Sequence, residues 1–345
     1  MLYKTGHWLF QRIVNKKLLV EFDILSKNID LFADSYVISS PSAWSNFTEN
    51  YPVDAKRIIL DAPLQLSKIK DVSRGISESH IVGIGGGRVV DCAKVVAKFA
   101  KKKCFIVPSI LSTTAWLNPT SSLKIGNKVH HEKGRIDSIL IDPKYIAMAP
   151  QHLNLGGLAD ILCGYNALSD WVLANQITGE RMPKKAKDLV LEMCNHLKTK
   201  TLEELPITSD SVPFLINAFK EALGLCWGLL SGRPLEGSEH FLYYALEESY
   251  NQPMNHGSII ALNTLLCLRL RGGDALIDPF ELRKFYDDLG ISYTLRDQNI
   301  PSELYGSALE SMPEFVIKRK LKFSLWNLEN LYKSCSFQEI LDWIS

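Results

Sequence analysis

No apolar run in the 345-residue chain approaches the roughly 18 residues a bilayer-spanning helix needs, so no transmembrane span is expected. Excess charge is missing too. Thirty-nine Lys and Arg against 38 Asp and Glu leave +1, which argues against nucleic acid or an anionic membrane as the main partner. A local basic pocket for one phosphate stays open. The seven cysteines are odd in number and scattered, and no CxxC pair suggests a zinc knuckle or redox couple. Free thiols in a reducing cytoplasm are the better reading. The N-terminal "MLYKTGHWLFQRIVNKK" lacks the apolar core and small-residue cleavage site of a secretion signal. Internal repeats and low-complexity tracts are absent as well.

What is present is an ordinary globular composition, 46% hydrophobic and 22% charged, enough for a large core. At roughly 150 residues per domain the length predicts two domains. The first 150 residues alternate strand-like and helix-like stretches: strands at 35–40, 57–61, 80–86, 104–109 and 138–142, with helices over 66–77 and 89–102. That alternation predicts a mainly parallel α/β sheet. After Pro150 long helix-period segments dominate, among them "GLADILCGYNALSDWVLANQI", "EHFLYYALEESY" and "HGSIIALNTLLCLRLRGG". The expected domains are therefore 1–150, α/β, and 151–345, all-helical, with the break near 149–157.

Three consecutive glycines, Gly85, Gly86 and Gly87, separate a strand from a helix in "HIVGIGGGRVVDCAKVVAKFA". Strand, glycines, helix is a geometry in which backbone N–H groups point at a phosphate; a tight turn without a ligand is the alternative. The usual GxGxxG fingerprint is missing, since Arg88 breaks it. Asp91 is expected in the first helical turn, capping N–H groups or accepting from a ligand. Lys94 reads as a ligand contact or a solvated charge.

In the helical half, Asp160 in "GGLADIL", His240 in "EGSEHFLYYALE" and His256 in "NHGSIIAL" offer metal-donor chemistry. Their spacing fits no local motif, and taken singly each reads as a structural residue, Asp160 as an N-terminal helix charge. The other six histidines read as surface or structural.

Together "GIGGGRVVDCAK", "FIVPSILSTTAWLNPTSSLK", "GGLADILCGYNALSDWVLA", "GSEHFLYYALE" and "NHGSIIAL" resemble, in that order, the dehydroquinate synthase-like and iron-containing alcohol dehydrogenase superfamily. Within it the sequence is similar to the sn-glycerol-1-phosphate dehydrogenase branch, which "ALSDWVLA" and the tail "RKLKFSLW" also resemble. The resemblance runs from about residue 35 to 326. It implies a Rossmann-like N-terminal domain binding NAD or NADP, a helical C-terminal domain carrying one divalent metal, and a substrate cleft between them. By the same resemblance the metal ligands are Asp160, His240 and His256. The cofactor contacts are Gly85, Gly86, Gly87, Asp91, Ser109, Ser112 and Thr113. The implied activity is hydride transfer between nicotinamide and a small phosphorylated polyol or ketose, in a cytoplasmic homodimer.

The sequence departs from that branch at three places. Thr114 stands where the family carries an aspartate near the substrate, and a threonine cannot act as a base near neutral pH. Gly164 replaces a lysine, and Tyr244 replaces a further histidine. Trp116 adds bulk beside Thr114. With the metal set retained, these changes suggest an altered polyol or sugar phosphate. Arg319, Lys124 and Lys322 are the basic candidates for its phosphate, Arg319 first because its fork suits that anion. Competing readings are a sugar-phosphate cyclase of the dehydroquinate synthase type and a non-catalytic nucleotide- or metal-binding relative. The residue after the second strand usually sets NAD against NADP, and there "ISSPSAW" offers Ser39, Ser40 and Ser42 with no acid against a 2′-phosphate, so NADP is permitted and not required. Zinc, iron and nickel all suit an Asp/His/His set.

Overall fold

The computed structural model describes residues 2–59, 65–126, 128–250, 252, 254–328 and 337–344. The chain forms two compact units. One comprises residues 9–154 and 205–219; the other comprises 1–8, 155–204 and 220–345. Neither is a single stretch of sequence, which one cut near residue 150 does not anticipate. The division falls inside the helix Gln151–Leu162.

The first unit is built on a six-stranded sheet of β1 (Leu18–Val20), β2 (Ser35–Ser39), β3 (Arg57–Ile59), β4 (His80–Gly85), β5 (Lys103–Pro108) and β8 (Ser138–Ile141). Every pairing is parallel, in the order β1-β8-β5-β4-β2-β3. A separate antiparallel pair is formed by β6 (Thr120–Ile125) and β7 (Lys128–Lys133). The expected strands at 35–40, 80–86, 104–109 and 138–142 all form. Of the expected strand 57–61, Leu60 and Asp61 lie outside the described residues, as does Cys335. The short edge strand β1 and the β6–β7 hairpin were not foreseen, because neither carries a long apolar run.

Val37 of β2, Val82 and Ile84 of β4 and Val107 of β5 are fully buried and meet Phe32, Phe47 and Tyr145 in the core. The helix Gly87–Ala100 packs on β4 at unusually short range: a Cβ on Gly83 would lie 2.6 Å from the Ala93 side chain. Strand succession runs outward from β2 to β3, then reverses to β4 and onward to β5 and β8. In parallel sheets such a reversal opens a crevice at the carboxyl ends of the two central strands, here β2 and β4. The glycine turn sits there.

In the second unit the described elements are helical. The expected long helix over "GLADILCGYNALSDWVLANQI" is two helices, Gln151–Leu162 and Gly164–Thr178, parted at Cys163. Further helices span Ala186–Glu204, Ser238–Ser249, His256–Arg271, Pro279–Leu289 and Ser302–Lys318. No helix among the described residues is long and apolar enough to cross a membrane.

Gly83→Ala should force β4 and the Gly87–Ala100 helix apart and cost about 1–3 kcal/mol, as overpacked cores do. Urea denaturation checks this; an unshifted transition would show that the helix can retreat freely.

Candidate functional site

The glycine turn joins β4 to the helix Gly87–Ala100. Gly86 is its N-cap and supplies no side-chain cap, so the first-turn N–H groups lack the partner that Ser, Thr, Asp or Asn would give. Gly85 has φ +156°, and any Cβ there would strike Val89 at 2.9 Å. A Cβ on Gly87 would approach Thr113 Oγ1 to 3.1 Å. Bare backbone is thus presented at the sheet's reversal point, beside the loop after β5. Ser109 donates its N–H to Gly85 O at 3.1 Å, locking that loop to the turn. Ser112 is buried, and Thr113 accepts from Ala115 N to cap the short 3-10 turn Thr114–Trp116. Gly85, Gly86, Gly87, Ser109 and Thr113 are therefore gathered in one region.

Two expected cofactor contacts are otherwise engaged. Ser39 is fully buried and donates its hydroxyl to Ile84 O at 2.7 Å. Asp91 lies beyond the first helical turn, since the helix begins at Gly87. One of its carboxylate oxygens pairs with Lys94 at 2.7 Å, and the other accepts Ser122 N–H at 2.9 Å. Lys94 is not solvated. Its side chain is fully buried, and Nζ donates to the carbonyls of Ala115, Asn118 and Thr120 at 2.9, 2.8 and 3.0 Å. This lysine clamps the loop that carries Thr114. Nothing in the sequence flagged that role, because the carbonyl acceptors leave no trace in residue type.

In the helical unit, Asp160, His240 and His256 meet. Asp160 sits in the last turn of Gln151–Leu162, not near its start, and Gly156 and Gly157 lie within that helix. Gly156 serves close packing. A Cβ on Gly257 would fall 2.1 Å from Gly156 O, so the start of the helix His256–Arg271 can rest directly on backbone. One turn beyond that contact, His256 Nε2 stands 3.0 Å from Asp160 Oδ1. His240, in the first turn of Ser238–Ser249, places its Nε2 3.4 Å from the same oxygen. One donor atom from each of the three lies within 4.8 Å of the other two.

Burial alone would raise the Asp160 carboxyl. The His256 imidazole and the hydrogen bonds from His240 and His256 outweigh it and hold the carboxyl far below its usual range. Burial alone would lower His240, yet hydrogen bonds with Asp160, Cys163 and Glu239 raise it well above the ordinary imidazole value. The cluster holds positive charge strongly, as a proton or as a cation. Two imidazoles and one carboxylate on rigid helices are a donor set suited to a divalent metal with open positions. Cys163, Glu239 and His240 form a second, overlapping donor group. Burial pushes the Cys163 thiol well above its usual value, so it remains a thiol that donates to Asp160 O at 3.0 Å.

The remaining candidates are dispersed. Thr114 opens the 3-10 turn in the sheet-bearing unit. Arg319 pairs with Glu248 at 2.9 Å, so any phosphate there must compete with a carboxylate. Lys322 is exposed, and Lys124 lies half-buried on β6. Gly164 is hemmed in, since a Cβ would meet Cys194 Sγ at 2.9 Å. Tyr244 donates to Glu236 at 2.7 Å. Trp116 is buried edge-on to Phe219. Sequence reading missed Glu239, which is fully buried against His240.

The iron-containing alcohol dehydrogenase family model matches residues 53–150. Glycerol-1-phosphate dehydrogenase (NAD(P)+) of Aeropyrum pernix is 30% identical over 251 residues, 68% of this chain and 70% of the relative. The enzyme of the same name from Sulfurisphaera tokodaii is 26% identical over 313 residues, 85% of this chain and 87% of its own. Among solved structures, a probable glycerol dehydrogenase from Sinorhizobium meliloti aligns with TM-score 0.63 at 17% identity, covering 95% of both chains. An NADH-dependent butanol dehydrogenase from Thermotoga maritima aligns at 0.60 with 14% identity, covering 96% of this chain and 97% of its own. These two share the fold.

Lys94→Met should cost about 3–5 kcal/mol, the usual loss when one partner of a buried ion pair is removed. Urea melts test it, and adding Asp91→Asn should recover part of that loss; no recovery would rule out the ion pair as the source. The raised His240 makes a second expectation. Its stabilising contribution to metal-free protein is complete below about pH 6.5 and fades as pH rises through the raised value. A metal must displace that proton, so the thermal shift caused by zinc should grow from pH 6 to pH 8. A pH-independent shift would contradict this.

Proposed function

The chain belongs to the iron-containing alcohol dehydrogenase family, in the branch of the glycerol-1-phosphate dehydrogenases, and from that premise we propose that it is a metal-dependent, NAD(P)-linked oxidoreductase of a polyol phosphate or ketose phosphate. The observation that carries this reading is the convergence of Asp160 Oδ1 with the Nε2 atoms of His240 and His256. Those three residues would hold the cation, and zinc suits a set of two imidazoles and one carboxylate.

A cation held there supplies Lewis acidity to a hydroxyl or carbonyl oxygen, and a bound nicotinamide supplies the hydride donor or acceptor. The chain's own groups do the rest. Asp160 contributes the negative charge that offsets a buried cation, while the histidines contribute neutral nitrogen donors. Uncapped N–H groups of the Gly86–Gly87 turn receive the anionic pyrophosphate, and the helix Gly87–Ala100 adds its N-terminal dipole. Ser109 and Thr113 keep the neighbouring loop against that turn. Ser40 caps the helix after β2, and no acid follows that strand, so both NAD and NADP can be accepted.

Thr114, Gly164 and Tyr244 favour a substrate that differs from glycerol 1-phosphate. Thr114 offers a hydrogen bond and no charge, and Gly164 leaves no room for a long side chain. We further read the protein as a cytoplasmic homodimer. The six described free cysteines fit a reducing compartment, and exposed Leu19 and Val20 on edge strand β1 are surface that a second copy can cover.

Purified protein with zinc should oxidise NADH or NADPH in the presence of one or more of dihydroxyacetone phosphate and other ketose phosphates. A chelator, or His256→Ala, should lower kcat/KM by more than about 100-fold, matching the several kcal/mol a metal contributes to the transition state. Release of phosphate without net nucleotide oxidation would replace this reading with a cyclase. Full-rate turnover of dihydroxyacetone phosphate alone would remove the altered-substrate part.

A further inference from the structure

We infer that Glu239 is a positioning residue for the metal centre, and that a polar chain starting at Arg271 dictates how it holds His240. This rests on reading Asp160, His240 and His256 as metal ligands. Glu239 is fully buried. Its Oε1 accepts Gly237 N–H at 2.7 Å and lies 3.0 Å from His240 Nδ1. Its Oε2 accepts from the side-chain amide of Asn166.

The orientation of that amide is not free. A guanidinium has donors only, and Arg271 Nε donates to Asn166 Oδ1 at 2.9 Å. Asn166 must then turn its NH2 group the other way, where Glu239 Oε2 and, at 2.9 Å, Ser238 Oγ receive it. Position 239 thus meets an N–H donor at each of its two terminal atoms. A carboxylate satisfies both; an amide, with one oxygen, leaves two donors facing each other.

With both oxygens accepting, His240 donates Nδ1–H to Oε1. Its Nε2 is then the nitrogen turned toward Asp160 and the one available to a metal. Metal-binding histidines are oriented in this manner by a carboxylate on the far nitrogen. The chain is anchored at both ends. Arg271 also pairs with fully buried Asp170. Asn263, from the helix that begins with His256, donates to Glu239 O at 2.9 Å and ties the two histidine-bearing helices together.

The test is zinc affinity of the full chain, measured by competition with a chromophoric chelator, in wild type, E239Q, N166D and the N166D/E239Q double variant, with thermal melts of each. E239Q should weaken zinc about 10–100-fold, the usual cost of losing an outer partner of a ligand. N166D should weaken it too, by setting two carboxylates face to face. The double variant exchanges amide and carboxylate and restores a matched pattern, with Arg271 now facing an acid. It should bind zinc more tightly than either single variant, which a merely structural role does not require, and it serves as the readout where a single variant fails to fold. Unchanged zinc affinity in E239Q, or a double variant no tighter than the weaker single one, would overturn the inference while leaving the metal centre standing. Wild-type protein that binds no zinc would remove both.

Discussion

A carboxylate with 5% exposure is costly unless positive charge reaches it, and Asp160 obtains that charge from two histidines far away in sequence. The helical unit is arranged around this demand. Gly156 against Gly257 lets one helix start on the backbone of another, and the spacing that results delivers His256 to Asp160. A side chain at Gly257 would separate the helices and with them the donors. The close contact and the charge cluster are therefore one constraint seen at two points along the same helix.

The two units solve opposite electrostatic problems with different materials. The helical unit concentrates formal charge and imidazole nitrogen, which a cation requires. The sheet-bearing unit offers an uncapped helix start and neutral backbone, which suits a phosphate. Its most buried ion pair among the described residues, Asp91 with Lys94, is turned inward, where three loop carbonyls absorb the ammonium donors. An inward pair of this sort contributes geometry: it fixes the segment from Ala115 to Thr120 to the same helix that the glycine turn begins.

Much of this was legible in the sequence where the signal is local. Apolar runs of five or six residues gave β2, β4, β5 and β8, because a strand buried on both faces has no polar alternation to hide it. The glycine triplet marked its own turn. The metal donors were not legible from spacing, since helix ends meet in space without a sequence period; only the ordered resemblance joined them. Asp160 was misplaced at a helix start because two preceding glycines look like a boundary, whereas here they sit inside the helix, Gly156 as contact surface. Asp91 and Lys94 look like ligand contacts by residue type, whereas in the fold they pair with each other and hold loop backbone. Glu239 was invisible because nothing in "GSEHF" says which acid faces inward.

The departures from the family pattern divide by their physical consequences. Gly164 is fixed by its neighbours: Cys194 Sγ and Pro234 O stand 2.9 and 3.1 Å from where a Cβ would be, so restoring a lysine there would first require the packing to change. Tyr244 is likewise accommodated, its hydroxyl satisfied by Glu236. Both are built into the packing of the helical unit. Thr114 differs, since it sits half-buried at the first position of a short turn whose flanks are held by Thr113 and Lys94. The scaffold that presents the residue is retained while the charge it would carry is gone. Stability alone keeps that scaffold in place, because removing the buried ammonium would strand Asp91 and three loop carbonyls.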